Sequence, residues 1–168
     1  SVRHEQSTEI MTLRMNCLSH RLGELKAASS LLGTADVSLV QKAQQSGIRI
    51  KIISGLRSYA EQDALYAQGR TQPGPKVTNA RAGYSNHNFG IAFDIGVFEG
   101  SAYLAESVKY KAVGALGMDL GLEWGGSWKS IVDQPHFQLR PAWALTLSER
   151  DMLAELRERA QSGRPVYA

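Results

Sequence analysis

Residues 85–98 read Ser85-Asn86-His87-Asn88-Phe89-Gly90-Ile91-Ala92-Phe93-Asp94-Ile95-Gly96-Val97-Phe98, and the second half alternates. Ile91, Phe93, Ile95 and Val97 fall on one face of an extended chain, with Ala92, Asp94 and Gly96 on the other. This period of two predicts a strand over 91–98 with an apolar side for a core and a polar side free for work. Gly90 tolerates the backbone of a tight turn, so a loop can bring His87 back beside the strand that presents Asp94. The two lie seven residues apart, which is wrong for neighbours on one helix. Ala92, two residues before Asp94 and on its face, leaves the space above the strand open.

Upstream, Ile48-Arg49-Ile50-Lys51-Ile52-Ile53 alternates apolar and basic residues and is rich in β-branched side chains, which predicts another strand ending at Ser54-Gly55. Loose helical spacing over 8–32 predicts an opening helix. A second helix is expected from about Asp36 to Gln45, with Gly47 past its end. A third runs over 59–68 and is closed by Gly69. Residues 70–90, with three glycines, two prolines and several asparagines, form a long ordered loop, a kind that is usually functional. Downstream come a helix over about 102–116, a Gly- and Trp-rich segment over 117–128 and a short strand over 136–139. A last helix starts at Ser148, in a sequence resembling a capping box, and ends at Gly163. This order predicts an α+β class: a small, mainly antiparallel sheet with flanking helices.

The chain has 168 residues, enough for one core and too few for two, so 1–168 is read as a single domain. At 43% hydrophobic and 21% charged it is of the globular type, which excludes disordered, collagen-like and coiled-coil classes. The net charge of +3 comes without a basic stripe, so no nucleic-acid partner is expected. The single cysteine, Cys17, excludes an intrachain disulfide framework and a cysteine metal knot. No apolar run approaches the roughly 20 residues that cross a bilayer, so no membrane insertion is expected. The start, Ser1-Val-Arg-His-Glu-Gln, holds no apolar signal-peptide centre, and export is not read from a chain that begins at Ser1. No apolar exposed stripe asks for a partner, and a monomer is expected.

Of four histidines, His4 and His20 lie in the first helical region, where a solvated or packed role is the ordinary reading. His87 and His136 sit in unusual surroundings. Zinc favours imidazole nitrogen and carboxylate oxygen, and a catalytic site uses three protein ligands with a fourth position for water. His87, Asp94 and His136 would supply them if the 136–139 strand arrives beside Asp94. Asp133 stands three residues before His136, across Pro135. It is placed either to exchange a proton with water at such a site or to cap a turn, and the residues alone leave both readings open. Arg57, at the end of the first strand, either stabilises an oxyanion or forms a surface salt bridge.

Ser85 to Asp94 fits S-x-H-x-x-G-x-A-x-D, and Asp133 to His136 fits D-x-x-H. In these two signatures the chain resembles the zinc peptidases of the D-alanyl-D-alanine carboxypeptidase and L-alanyl-D-glutamate endopeptidase family, peptidase family M15. Chance agreement at the first signature's five positions is on the order of once in a million per start. The resemblance extends to Ser54-Gly-Leu-Arg-Ser-Tyr-Ala-Glu-Gln62, Leu65-Tyr-Ala-Gln-Gly-Arg70, Val77-Thr-Asn-Ala80 and Gly121-Leu-Glu-Trp-Gly-Gly126, covering about residues 48–140. These segments look like the endopeptidase branch, which includes phage endolysins and bacterial cell-wall hydrolases.

The resemblance implies a Hedgehog/D-Ala-D-Ala-peptidase-like fold, with His87, Asp94 and His136 as Zn2+ ligands and Asp133 as catalytic base. It also implies that Arg57 steadies the substrate carbonyl and that Ser85 has a supporting role at the substrate. Trp124, with Trp128 and Tyr84, is expected to help bind the polymer, although each aromatic also reads as core or groove wall. Ser127 departs from the family pattern, in which an acidic residue often stands after the Gly-Gly pair. No separate wall-binding module is expected.

The implied activity is hydrolysis of the L-alanyl-D-glutamate bond in the stem peptide of peptidoglycan, without a covalent intermediate. Cys17, far from the motifs, has no place in it. The rivals are a D-alanyl-D-alanine carboxypeptidase or dipeptidase and a non-catalytic zinc-containing binding domain of similar fold. The implied place of action is the cell wall, periplasmic or extracellular; a phage endolysin would be made in the host cytoplasm and released to it.

Overall fold

The computed structural model describes residues 32–168. The described chain runs through helix α1 (32–45), β1 (Arg49–Ser54), α2 (Tyr59–Ala67), β2 (Ala92–Glu99), β3 (Ala102–Leu104), α3 (Lys109–Asp119), β4 (Glu123–Trp124), β5 (His136–Gln138) and α4 (Glu149–Ser162). Short 3-10 turns occupy Asn86–Phe89, Gly125–Ser127 and Ala142–Ala144. The expected helix over 8–32 lies almost wholly outside the described residues, as do His4, Cys17 and His20.

The sheet is antiparallel at every pairing, in the order β1-β2-β5-β4, and β3 pairs with the far end of β2. The apolar face that predicted β2 lies in the core, while the other face is also closed at Ala92 and Gly96 and is half-buried at Asp94. Phe93, Ile95 and Val97 enter one core with Ile50 and Phe137 of the neighbouring strands, Leu39 and Ala43 of α1, and Tyr110 and Val113 of α3. A second cluster, of Phe89, Ile91, Ala144, Met152 and Leu156, holds α4 against the turn that carries His87. Both clusters leave the Asp94 side of β2 for the site.

Two expectations need correction. Residues 102–104, read as the start of a helix, form β3, and α3 begins only at Lys109. Glu99 pairs with Ala102 across Gly100-Ser101, and Gly100 has φ +60°, so the chain turns in a two-residue hairpin loop. Within the Gly- and Trp-rich segment, Glu123–Trp124 joins the sheet beside β5. Residue 32 is already helical, so Asp36 lies inside α1 and not at its start. The predicted end holds, with Gly47 at φ +75°. At the other end of the chain, Ser148 Oγ accepts from the Asp151 amide and Gly163 closes α4 at φ +71°, both as read.

Candidate active site

Strand register builds the centre of the site. Asp94 is the direct partner of Ser54 on β1 and of His136 on β5, and residues opposite one another on adjacent strands project from the same face. Two residues along, the next row on that face is Ala92, Gln138 and Glu123. His87 comes from the turn before β2, whose exit is Gly90 at φ +68°. His87 Nε2 lies 3.2 Å from Asp94 Oδ2, and His136 Nδ1 lies 3.2 Å from Asp94 Oδ1. The two imidazoles stand nearly perpendicular, 5.2 Å apart at their centroids.

The donor set fits a metal ion. One ligand atom from each of His87, Asp94 and His136 lies within 4.8 Å of the others. The Gly55 carbonyl is 2.8 Å from His87 Nδ1 and can only accept, so that nitrogen carries a hydrogen and Nε2, toward Asp94, is the nitrogen left for a metal. On His136 the outer nitrogen is Nε2, 2.9 Å from Gln138 Oε1, and Nδ1 faces Asp94. Burial pushes the Asp94 carboxyl up, but hydrogen bonds from His136 and His87 and their charges outweigh it and hold it far below the ordinary carboxylate range. Burial lowers His136, yet its bond to Asp94 and that carboxylate's charge bring it above the ordinary histidine value.

A cleft of about 1000 Å³ opens over this cluster, with Arg57, Ser85, Trp128 and Asp133 among its lining residues. Burial, with the Asp94 charge beside it, raises the Asp133 carboxyl above the ordinary range against the pull of His136 and His87. The turn that carries Asp133 is tightly made. The Asp133 amide donates to Gly125 O at 3.0 Å, and the His136 amide to Asp133 O at 3.2 Å. A Cβ on Gly125 would collide with the Asp133 carbonyl oxygen and come within 3.1 Å of His136 Cβ. Arg57 is aimed by two acceptors, Gln62 Oε1 and Ser54 Oγ, each 2.8 Å away. Buried Gln62 also donates to Ala80 O at 2.8 Å, tying the arginine to the loop wall.

Of the residues singled out in the sequence, His87, Asp94, His136, Asp133, Arg57 and Ser85 meet at this cleft. Trp124 does not: it is 5% exposed, belongs to the core and does not line the cleft. Its indole Nε1 donates to Gln134 O at 2.7 Å, so it braces the 133–136 turn from behind. Gly114 and Gly126 leave room for its ring. Trp128 is the tryptophan at the site, with its ring 5.1 Å from that of His136. Ser127 is exposed, outside the cleft lining, and donates to Trp124 O at 2.8 Å, closing the 3-10 turn. Gln138, Gln62 and Asn86 were not found from sequence. A glutamine two residues from a candidate ligand on a strand shares its face, which was the available signal for Gln138.

Two imidazoles and a carboxylate converging at a cleft, with a second carboxylate and an arginine beside them, define a metallopeptidase type of site. A family profile described as D-alanyl-D-alanine carboxypeptidase matches residues 78–139. The chain is 38% identical over 114 residues to the peptidoglycan L-alanyl-D-glutamate endopeptidase CwlK of Bacillus subtilis (strain 168), covering 62% of this chain and 68% of that protein. Two solved structures share the fold. One is DacB from Streptococcus pneumoniae D39, with TM-score 0.51, 23% identity, and 83% of this chain and 73% of that chain covered. The other is a variant of the vancomycin-resistance D,D-pentapeptidase VanY in complex with Zn(II), with TM-score 0.50, 14% identity, and 80% and 78% covered. The chain belongs to peptidase family M15 and is an enzyme, a peptidase.

Proposed function

We propose that this peptidase is a zinc-dependent peptidoglycan hydrolase that cuts the L-alanyl-D-glutamate bond of the stem peptide, and so acts at the cell wall. The observation that carries the chemistry is the row across β2 and β5, where Asp94 and His136 are register partners with His87 closing the third side. The choice of bond rests on the similarity to the Bacillus endopeptidase, 38% identical over 114 residues.

His87 Nε2, His136 Nδ1 and an Asp94 oxygen would hold the zinc, a three-ligand set that leaves one position open to the cleft. The chemistry such an ion supplies when bound is Lewis-acid polarisation of a carbonyl and a lowered pKa for water. Asp133, at the cleft wall, takes the proton from the attacking water and returns it to the leaving amine. A carboxylate at this position can serve both halves of that exchange. Arg57, oriented by Gln62 and Ser54, presents its remaining N–H donors to negative charge growing on the scissile oxygen. Ser85 and Trp128 form part of the wall against which the peptide lies.

The test is mass-resolved digestion of purified peptidoglycan by the zinc-loaded protein, with Asp133→Ala as the paired control. Glycan ending in L-alanine and peptides beginning at D-glutamate, both lost in the variant, are the expected products. Release of terminal D-alanine alone would move the activity to a carboxypeptidase. No cleavage by protein holding stoichiometric zinc would leave a binding domain.

A further inference from the structure

The buried polar row beside the ligands decides a feature of the site that the ligands themselves do not. We propose that Gln138 is the positioning residue that fixes which nitrogen of His136 is offered to the metal, and that Glu123 and Glu149 fix Gln138 in turn. The proposal rests on the metal reading of the site given above.

An amide side chain has one accepting and one donating end, and its neighbours decide which way it faces. Gln138 Nε2 lies 2.6 Å from Glu123 Oε2 and 3.4 Å from Glu149 Oε2. Arg140 binds both acids, with Nε 2.5 Å from Glu123 Oε1 and Nη2 2.9 Å from Glu149 Oε2, which holds their acceptor oxygens against the amide. The amide nitrogen must therefore face the two carboxylates, which turns Oε1 toward His136 Nε2 at 2.9 Å. Asn86 Nδ2 donates to the same oxygen at 2.6 Å and also to Glu149 Oε1. The orientation of Asn86 is equally forced. Turning its amide would set its carbonyl against two acceptors, and the orientation it keeps leaves Oδ1 buried without a partner.

The consequence passes to the ring. An amide oxygen cannot donate, so His136 Nε2 carries a hydrogen and Nδ1 is the nitrogen left for the metal. On His87 the Gly55 carbonyl imposes the opposite choice, with Nδ1 protonated and Nε2 facing Asp94. The two histidines thus serve one site through different ring nitrogens, each selected by the acceptor behind it. Gln138 is 0% exposed and His136 6%, so bulk water offers the ring no ready substitute acceptor. Because Glu149 opens α4, the last helix is part of the support of the metal site.

A purely structural glutamine would lower stability when replaced and leave the metal and the tautomer alone. The experiment therefore reads both. Long-range 1H–15N spectra of the wild-type protein loaded with zinc, and with cadmium-113 to mark the bonded nitrogen, should show His136 protonated at Nε2 and metal-bound at Nδ1, and His87 the reverse. In Gln138→Leu, checked for folding by circular dichroism, zinc affinity by chelator competition should fall by about 10–100-fold. A His136 bound through Nε2 in the wild type would overturn the proposal, as would a folded Gln138→Leu with wild-type affinity. If the variant does not fold, the wild-type spectrum decides. Failure of the wild type to take up zinc is a separate result; it would remove the metal reading and this proposal with it.

Discussion

Asp94 on β2 and His136 on β5 are direct register partners, with Oδ1 and Nδ1 3.2 Å apart. Their meeting is a property of the sheet and needs no loop to arrange it. A one-residue slip of β5 would send His136 to the opposite face, so the packing of Phe137 against Phe93 in the core also guards the site. Replacing the carboxylate should therefore remove metal while sparing the fold. Asp94→Asn should lose at least about 100-fold in zinc affinity, more than a supporting partner usually costs. Metal content after dialysis, read beside circular dichroism, checks this; full retention would show that Asp94 is not a ligand.

Asp133 lines the same cleft but stands outside the ligand cluster. Asp133→Asn should accordingly keep zinc within a few-fold of wild type and lose turnover by about 10²–10⁴, the usual contribution of a general acid/base. Peptidoglycan digestion rates and chelator competition on the same preparation separate the two effects. A variant that loses both equally would make Asp133 a ligand or a structural residue.

Gly125 matters for proximity, since an added methyl would meet the Asp133 carbonyl oxygen and crowd His136 Cβ. Backbone is the obstacle, so the turn must shift. Gly125→Ala should cost about 1–3 kcal/mol in denaturant unfolding, as overpacking does, and should lower turnover by displacing Asp133. Gly121→Ala makes the contrast, since nothing lies near its added carbon and only its positive φ is strained. It should lose stability with little change in turnover per folded molecule.

The parts of this protein that could be read from sequence are those whose physics is local. Alternation in 91–98 marked β2 and its polar face, and Ser148 and Gly163 marked the ends of α4. The candidate ligands stood out because His87, Asp94 and His136 are chemically distinctive and sit in compact motifs. The misread parts depend on partners far along the chain. Ala102–Leu104 looked helical because three residues are too few to show a period, although Gly100-Ser101 carried the hairpin signal. Trp124 was assigned to substrate because tryptophan serves both core and groove. Gly114, ten residues earlier, decides for the core by leaving space for its ring. Gln138 and Gln62 gave no signal by type, since a glutamine's task is set by the acceptors and donors that folding brings to it.

Arg57 is steadied from the chain that follows it. Ser58 Oγ accepts from the Glu61 amide at 3.1 Å, and Glu61 Oε2 accepts from the Ser58 amide at 2.7 Å, a reciprocal cap at the start of α2. The Ser58 amide and then its hydroxyl hold the Glu61 carboxyl below its ordinary value of 4.5, with slight desolvation opposing and the Arg57 charge assisting. A depressed folded-state value means that the contribution is complete above 4.5 and is lost as pH falls through the folded value. Glu61→Gln lacks that titration. The stability advantage of wild type over Glu61→Gln should therefore be constant above about pH 5 and shrink toward zero in more acidic solution, as read by urea unfolding at each pH. An advantage that grows on acidification would reverse the sign of the linkage.

The same linkage predicts the effect of stripping the metal. His87, Asp94 and His136 converge only in the folded chain, because β2, β5 and the 86–89 turn bring them together. An ion that binds them favours the folded state by mass action. At a free concentration of about 100 times its Kd this amounts to about 2.7 kcal/mol. For a chain of 168 residues, each kcal/mol moves the Tm by about 2–4 °C, so chelation should lower it by about 5–11 °C. Added zinc should restore it, and Asp94→Asn should show almost no shift in either direction. Scanning calorimetry of wild type and Asp94→Asn, each with chelator and with zinc, checks all four values. An equal shift in the variant would mean that the stabilising ion binds elsewhere.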